Sequence, residues 1–262
     1  MKLLSLNLWG GRQGQILIDY LKQQAQDTDI FCFQEVFDSS DKVFDCDKAR
    51  PHLFEELKAA LPDFLGFFSP AYEGWVDRKK VDFHIAEGQA VFIRRGIEAP
   101  EIGSFYVYGN KDTKIAEDFT NEPKNLQIAR LKAETRELVV ANAHGMWSPG
   151  NKLDTPERLE QSRNIKNVLS QYQLPKILCG DFNLMPETES IKMLGRELTD
   201  LIGKYGIENT RNDVSWRQYP GDLNKQHYAD FMFASPEIKV KNFEVPYNEV
   251  SDHLPMILDF SL

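Results

Sequence analysis

Seven short runs rich in β-branched and aromatic residues recur from one end of the 262-residue chain to the other. Runs of this length and composition predict β-strands. They are residues 3–8, 30–33, 90–93, 138–143, 176–179, 229–233 and 256–260. A strand with one face in water alternates polar and apolar residues, whereas several of these runs are almost uniformly apolar. The pattern therefore indicates sheets that are covered on both faces.

Segments with a helical pattern lie between these runs. The strongest helix is predicted to extend through Leu169, because Thr155 suits the N-cap, Pro156 the first helical position and Glu157 the first turn. The weaker candidates are residues 15–26, 51–61 and 189–194.

The polar segment 38–47 predicts a loop, and the mixed segment 104–123 predicts a long excursion near a site or an irregular insertion. The chain has no internal repeat, no low-complexity tract and no linker-like stretch. Strands that alternate with helices, without a division into halves, predict an α/β fold of two packed sheets flanked by helices. We expect residues 1–262 to form one domain, since β proteins of this length often do.

The formal net charge is −9, and no basic stretch is visible. Proteins that bind long nucleic acids through the backbone usually carry a basic face, so the charge disfavours duplex DNA as a partner. It is compatible with ordinary solubility, with a small substrate, or with a bound metal that supplies local positive charge. The oligomeric state does not follow from the sequence.

Cysteine usage and the terminal sequence bear on the compartment. Cys32, Cys46 and Cys179 have no paired spacing, which indicates a reducing environment and argues against structural zinc. Cys32 and Cys179 lie in apolar runs and are expected to be buried. We see no signal peptide and no apolar run of the roughly 18 residues needed to cross a bilayer. A cytoplasmic protein is the expectation.

Polar side chains end five of the apolar runs, where ordinary turn residues would be expected. Glu35 lies between apolar neighbours, where burial of an unpaired carboxylate costs free energy. A divalent cation with oxygen ligands would account for it, and Mg²⁺ is typically held by one or two carboxylates plus water. Asp181 and Asn183 are two positions apart, so extended backbone points both side chains the same way.

Each such position, taken alone, also suits an ordinary turn, a strand terminus or a structural histidine. Their shared placement beside strands is what indicates a functional site. Asp230 begins an apolar run, and a carboxylate there is suited to orient a histidine and stabilise its protonated form. The full set is Asn7, Glu35, His144, Asp181, Asn183, Asp230, Asp252 and His253.

In this order along the chain, the motifs resemble those of the endonuclease/exonuclease/phosphatase superfamily, a DNase I-like group, from Leu4 to Phe260. They are Leu6-Asn7-Leu8-Trp9, Gln34-Glu35-Val36, Asn142-Ala143-His144, Gly180-Asp181-Phe182-Asn183, Tyr228-Ala229-Asp230 and Ser251-Asp252-His253. The resemblance implies a four-layer α/β/β/α sandwich, in which two packed mixed β-sheets are flanked by helices. It also implies a site at one end of the two sheets.

The resemblance implies a metal site for Mg²⁺, with Mn²⁺ as a substitute. Glu35 is its principal ligand by this resemblance. Asn7 and Asp252 complete it, either directly or through water. Whether one or two ions bind is left open.

The resemblance also implies catalytic roles. His253 matches the base, and Asp230 matches its orienting partner. Asp181 and Asn183 match residues that position the attacking water and the phosphate. His144 matches the histidine that contacts the phosphate and serves the leaving group. Either His253 or Asp181 could be the base on sequence grounds.

The function implied is that of a metal-dependent phosphoesterase, a hydrolase in which water attacks a phosphate mono- or diester directly. One alternative is a nuclease acting on DNA or RNA, including an abasic-site endonuclease. Another is a binding module that has lost catalysis, although all metal and base positions are intact. A third is a phosphodiesterase of lipid headgroups. The Pro-Ala-Trp-Cys-Asp-Arg motif of inositol 5-phosphatases is absent, which disfavours that substrate.

Three segments are predicted to shape the substrate pocket: residues 71–75, 106–125 and 144–152. Tyr72 and Trp147 are candidates for substrate binding, and Trp75 is a third aromatic that could stack on a base or ring. Packing within loops is the competing interpretation for all three. Three basic residues are candidates for positive charge at the pocket: Lys152, Arg158 and Arg78. The alternative is that they lie on the solvated surface.

Overall fold

The computed structural model describes residues 1–42, 48–118, 120–133, 136–147, 151–218 and 226–262. The strands are β1 (Lys2–Asn7), β2 (Ile30–Asp38), β3 (Phe64–Glu73), β4 (Trp75–Val76), β5 (Lys79–Lys80), β6 (Ala86–Arg94), β7 (Glu98–Tyr108), β8 (Lys124–Ala133), β9 (Arg136–His144), β10 (Lys176–Asp181), β11 (Thr199–Asp200), β12 (Asp230–Ala234), β13 (Lys239–Glu244) and β14 (Met256–Ser261). The helices are α1 (Gln15–Gln24), α2 (Leu53–Ala60), α3 (Pro156–Ser170), α4 (Glu189–Gly195), α5 (Leu201–Lys204) and α6 (Val214–Gln218), with a 3₁₀ turn at Trp9–Gly11.

Two six-stranded mixed sheets form the centre of the described structure. The first sheet has the order β13-β14-β1-β2-β6-β3, and the second has the order β11-β12-β10-β9-β8-β7. In the first, β1 runs parallel to β2 and antiparallel to β14. In the second, β10 runs parallel to β9 and antiparallel to β12. The short strands β4 and β5 form a separate hairpin.

Apolar side chains on both faces of the first sheet are buried. Leu3 and Cys32 point into the core shared with the second sheet. Leu4 and Phe31, one position along in each strand, pack instead against helices α1 and α2. This alternation confirms the prediction of sheets covered on both faces, since successive side chains of a strand point to opposite sides.

Helices α3, α4 and α5 cover the outer face of the second sheet. Ile165 and Leu169 of α3 and Leu194 of α4 belong to the same buried cluster as the strands of that sheet. Helix α3 begins as predicted, with the Thr155 hydroxyl accepting a hydrogen bond from the backbone N–H of Arg158 and Pro156 in the first turn. Helix, sheet, sheet and helix give the four-layer α/β/β/α sandwich.

The strands that the sequence did not reveal are mainly edge strands. β3, β7 and β13 lie at sheet edges and are only partly buried, so they lack continuous apolar runs. β8 is buried, but Asn125 and Gln127 interrupt its apolar pattern. The prediction of an excursion or irregular insertion at residues 104–123 was therefore wrong at its start, because β7 extends to Tyr108. The predicted loop at 38–47 lies partly outside the described residues.

A polar bridge connects the two sheets close to their site-bearing ends. The Gln34 amide of β2 donates to Asn142 Oδ1 of β9 at 2.7 Å. The Asn142 amide donates in turn to the carbonyl of Phe33 at 3.0 Å. Buried side-chain amides are stable only when their hydrogen bonds are made. These bonds therefore fix the position of β2 relative to β9.

Two further sequence expectations concern cysteines and membranes. Cys32 and Cys179 are buried free thiols, as predicted, whereas Cys46 lies outside the described residues. Within the described ranges, no helix has the length and apolar character to pass through a bilayer.

Candidate active site

The site lies where parallel strands of both sheets end. Asn7 ends β1, and Glu35 lies near the end of the neighbouring β2. His144 ends β9 and is paired in register with Asp181, the last residue of β10. Asp230 begins β12 directly opposite Asp181. The topology therefore gathers five of the residues that the sequence singled out at one end of the sandwich.

Asn7 joins the carboxylates of the two sheets. Its Nδ2 donates to Glu35 Oε1 at 3.0 Å and to Asp181 Oδ2 at 3.0 Å. Its Oδ1 accepts a hydrogen bond from the backbone N–H of Trp9 at 2.9 Å. In this arrangement Asn7 positions two carboxylates. Its role as a metal ligand stays a prediction.

Two histidines face the same carboxylates. His144 Nε2 lies 3.9 Å from Glu35 Oε1 and 4.0 Å from Asp181 Oδ2. His253 Nδ1 lies 2.8 Å from Asp230 Oδ2, and both side chains are buried. Because Nδ1 is held by Asp230, Nε2 is directed at Asp181 Oδ2, 3.7 Å away, and at Asp252 Oδ1, 3.7 Å away.

Unusual backbone conformations place these side chains. Glu35 has φ of 52° and Asn183 has φ of 54°, in the left-handed region that side-chain-bearing residues seldom adopt. Glu35 lies in the irregularity where the β2–β6 register shifts. Asn183 is held by its backbone N–H, which donates to Asp181 Oδ1 at 2.8 Å. Such strain costs about 1–3 kcal/mol per residue and is concentrated at functional sites.

Gly180 permits the close contact of β10 with β9 just before Asp181. Its φ is 137°, and a Cβ built there would lie 2.0 Å from the Ala143 carbonyl oxygen. Only glycine fits, so this position fixes where the two strands deliver Asp181 and His144.

The ionisation of the cluster is set by burial and by its neighbours. Burial raises the pKa of Glu35, and the nearby Asp252 adds to the rise. Burial alone would also raise the pKa of Asp181, but His253, Lys152 and His144 together hold it below its usual range. Burial lowers the pKa of His144 to about 3, with Lys124 contributing, so this imidazole is neutral at pH 7.

The pKa of His253 is shifted in the opposite direction to that of His144. Burial by itself would lower its pKa, but the carboxylates of Asp230, Asp252 and Asp181 together outweigh burial and raise it. Burial raises the pKa of Asp230. The arrangement fixes the tautomer of His253 through Nδ1 and leaves Nε2 available to exchange a proton in the cavity.

The donor set fits a divalent cation. Ligand atoms of Glu35, His144 and Asp181 all lie within 4.8 Å of one another. Asp252 Oδ1 is buried and has no hydrogen-bond partner among the described residues, although its other oxygen pairs with Arg211. Oxygen-rich groups of this kind suit Mg²⁺ or Mn²⁺. Buried carboxylates are stable only with compensating charge, which such an ion supplies.

A cavity of about 240 Å³ opens onto this cluster. Tyr72 and Trp147, the two predicted substrate-binding aromatics, both line it. Trp75 lies instead along a neighbouring groove that it shares with Tyr72. Residues 148–150 of the predicted pocket segment lie outside the described residues.

The three candidate cations have different positions. Arg78 lines the cavity, with its guanidinium 3.2 Å from the centre of the Trp147 ring. Lys152 is buried near the carboxylates; burial lowers its pKa to about 8, and Arg211 adds to the effect. Arg158 was predicted as a pocket or surface cation, and that was wrong. Its buried guanidinium donates to three backbone carbonyls, including that of Leu153 at 2.6 Å, and so holds the preceding loop.

Glu122 and Lys124 line the cavity from the predicted pocket segment 106–125. Three other lining residues were not found from the sequence: Arg12, Glu87 and Arg211. Arg211 forms an isolated β-bridge with His253 and an ion pair with Asp252, contacts that only the folded chain creates. Glu87 lies three positions before the apolar run 90–93, and this placement was the one sequence signal available for it.

Replacing Glu87 with glutamine should stabilise the protein at alkaline pH. Burial raises the pKa of Glu87 to about 7, with Glu35 adding to the rise. The folded state thus holds this proton more tightly than the unfolded state. Stability is therefore lost as pH rises from the ordinary value of 4.5 to about 7. We expect Glu87→Gln to remove a penalty on the order of 2 kcal/mol at pH 8.

Denaturant unfolding of EDTA-treated protein at pH 5 and pH 8 measures this difference. The exposed Glu73, in the same region of the first sheet, offers Glu73→Gln as the matched control. Equal pH dependence in wild type and Glu87→Gln would contradict the assignment.

The fold and the cluster together define a class of protein. It is an α/β/β/α sandwich that carries a buried site of carboxylates, amides and histidines where parallel strands of both sheets end.

The chain belongs to the endonuclease/exonuclease/phosphatase family, whose sequence model matches residues 4–253. Members of this family are hydrolytic enzymes that act on phosphoester bonds. A comparison of the sequence with curated proteins gives no match.

Solved structures share the fold over the whole chain. A mannosyl-6-phosphatase of Bacteroides thetaiotaomicron VPI-5482 has a TM-score of 0.70 and 21% identity, covering 100% of both chains. A family protein from Leptotrichia buccalis C-1013-b has a TM-score of 0.72 and 21% identity, also covering 100% of both. The human Nocturnin catalytic domain with bound sulfate has a TM-score of 0.67 and 20% identity, covering 100% of this chain and 93% of that one. At these identities the likeness shows the fold.

Proposed function

We propose that the chain is a Mg²⁺-dependent phosphoesterase that hydrolyses a small phosphate ester by direct attack of water, with residues 1–262 acting as one catalytic domain. The observation that carries the proposal is the buried His253–Asp230 pair, whose free Nε2 faces the carboxylate cluster of one cavity. A base, a set of metal-binding oxygens and a confined cavity are the parts that such a hydrolysis requires.

His253 is the base in this proposal. Asp230 fixes its Nδ1 and stabilises the imidazolium that forms when Nε2 accepts a proton from water. Asp181 has the weaker claim, because its neighbours hold its pKa below the usual range and it is therefore a poor proton acceptor. Asp181 and Asn183 instead orient the attacking water and the phosphate.

His144 and Arg211 complete the polar surroundings. A neutral His144 offers an N–H to a phosphate oxygen or to the leaving-group oxygen without adding charge. Arg211 pairs with Asp252 and holds it beside His253. Glu35 and Asp252, with Asn7 holding Glu35 in place, would bind the ion. Bound there, Mg²⁺ would neutralise charge on the phosphate oxygens.

A small ester fits better than a long polynucleotide. The cavity is about 240 Å³, below the roughly 300–1,000 Å³ of typical ligand pockets. The net charge of −9 disfavours a long phosphate backbone. The likeness to a mannosyl-6-phosphatase is consistent with a phosphatase activity on a small substrate.

The test is hydrolysis of a phosphoester panel with Mg²⁺, with Mn²⁺ and with EDTA. The panel contains sugar phosphates, phenyl phosphate, a chromogenic diester, sphingomyelin, RNA, abasic DNA and single- and double-stranded DNA. EDTA-sensitive hydrolysis of a small ester is the expected result. Preference for RNA or DNA would favour the nuclease alternative. Folded protein that cleaves nothing in the panel would contradict the proposal.

A further inference from the structure

A second group of side chains lines the same cavity and has no part in the proposed hydrolysis. We call it the polar wall, and it consists of Tyr72, Arg78, Glu87, Glu122 and Lys124. It contains both hydrogen-bond acceptors and donors.

Glu122 is the most unusual member of the polar wall. It is fully buried, and neither of its carboxylate oxygens has a hydrogen-bond partner among the described residues. Its ion pair with Lys124 is 3.4 Å long, and Lys124 is also buried. A buried carboxylate ordinarily accepts several hydrogen bonds. Glu122 thus retains accepting capacity at the cavity surface.

Glu87 and Tyr72 form the adjoining part of the polar wall. The Tyr72 hydroxyl donates a hydrogen bond to Glu87 Oε2. The other carboxylate oxygen of Glu87 does not receive this hydrogen bond. Lys124 Nζ lies 5.9 Å from the centre of the Tyr72 ring. The aromatic ring, the two carboxylates and the ammonium group therefore lie together.

Arg78 reaches the cavity from the hairpin of β4 and β5. The two turn residues, Asp77 and Arg78, have φ of 48° and 63°, a left-handed pair that hairpins usually fill with Asn-Gly. Here both side chains have contacts at the site: Asp77 pairs with Arg12, and Arg78 stacks on Trp147. Strained residues of this kind persist where their side chains have a function.

We propose that the polar wall binds a polyhydroxylated leaving group, so that the substrate is a phosphate monoester of a sugar or polyol. Carboxylates of Glu87 and Glu122 accept hydrogen bonds from hydroxyl groups, while Arg78 and Lys124 donate to hydroxyl oxygens. Paired charges of both signs suit a neutral ligand better than a polyanion or a quaternary ammonium group. The reaction joins water oxygen to phosphorus and breaks the phosphorus–oxygen bond to the sugar. It yields inorganic phosphate and a free hydroxyl, which receives the proton given up by water.

This inference rests on the proposed function, and its test separates the two. Metal-loaded enzyme is assayed with glucose 6-phosphate, sorbitol 6-phosphate, phenyl phosphate and a dinucleotide. We expect kcat/KM for the two hydroxylated esters to exceed that for phenyl phosphate by at least about tenfold, through KM. Glu122→Gln should lower that ratio by about tenfold, whereas the exposed control Glu117→Gln should not change it.

A second variant is needed because a substitution at the buried Glu122 can impair folding. Arg78 is exposed as a residue, so Arg78→Ala tests the same wall without disturbing the core, with Lys80→Ala of the same hairpin as its control. A preference for phenyl phosphate or the dinucleotide, or an unchanged ratio in both wall variants, would overturn the inference and leave the proposed function standing.

The remaining case is protein that shows no hydrolysis. Calorimetry then measures whether it binds glucose 6-phosphate. Protein that hydrolyses nothing, yet binds the ester with an affinity that depends on Glu122, would contradict the proposed function and support the polar wall. Protein that neither hydrolyses nor binds it would contradict both.

Discussion

Replacing His253 with alanine should lower kcat by about 10³-fold on whichever phosphate ester the wild type prefers, because a positioned base contributes roughly 10²–10⁴-fold. His253 is the imidazole whose Nδ1 is fixed by Asp230 at 2.8 Å and whose Nε2 faces the cavity. Asp230→Asn keeps the ring but removes the carboxylate, so we expect a smaller loss. Steady-state kinetics with saturating Mg²⁺ measures both.

The matched control is His84→Ala, since His84 is exposed and does not line the cavity. Its turnover should equal that of the wild type. Thermal unfolding of each variant separates loss of the base from loss of the fold. Near-normal turnover in folded His253→Ala would assign the base to another group, with Asp181 the first to test through Asp181→Asn.

The central strands were predictable because both of their faces are buried. β1 and β2 carry apolar side chains to two cores, and the apolar residues of β9 and β10 are buried without alternation, so their runs are visible without any structure. Edge strands such as β7 leave most of their residues partly or fully exposed, and their pattern is weak. The four-layer arrangement followed from the resemblance of motifs, and the structure confirms it.

The site residues were predictable to the extent that they interrupt apolar runs. Asn7, Glu35 and Asp181 each do so, and the sheet topology brings them together. What could not be predicted is which charges meet across the fold. Arg211 pairs with Asp252 only because separate segments of the chain approach each other. Glu122 is in a mixed segment where nothing in the sequence distinguishes a buried carboxylate from a solvated one.

The orientation of side chains is a further property that could not be predicted from the sequence. An asparagine at the end of β1 predicts a polar contact, but not that its amide donates to two carboxylates while its oxygen accepts from Trp9. Likewise, Arg158 looks like a surface cation in an amphipathic helix. Its burial against the carbonyls of the preceding loop depends on how that loop returns to α3.

Replacing Glu35 with glutamine should abolish metal-dependent activity and the stabilisation that the metal provides. A ligand that binds only the folded state raises stability by about 2.7 kcal/mol at roughly a hundredfold excess over Kd. For a protein of this size we expect Mg²⁺ to raise the Tm of the wild type by about 5–10 °C. Glu35→Gln should show no such shift, because it loses the carboxylate that faces His144 and Asp181.

The same thermal unfolding measured in EDTA, without a bound ion, tests the electrostatics of the site. Glu35 is a half-buried carboxylate close to Asp181, and both accept hydrogen bonds from the one Asn7 amide. Without a cation, removal of one negative charge relieves repulsion, so Glu35→Gln should be at least as stable as the wild type in EDTA. The exposed Glu208→Gln serves as the control and should keep both the Mg²⁺ shift and the activity. A Mg²⁺ shift that survives in Glu35→Gln would show that the ion binds elsewhere, and the assignment of the cluster as the metal site would then be wrong.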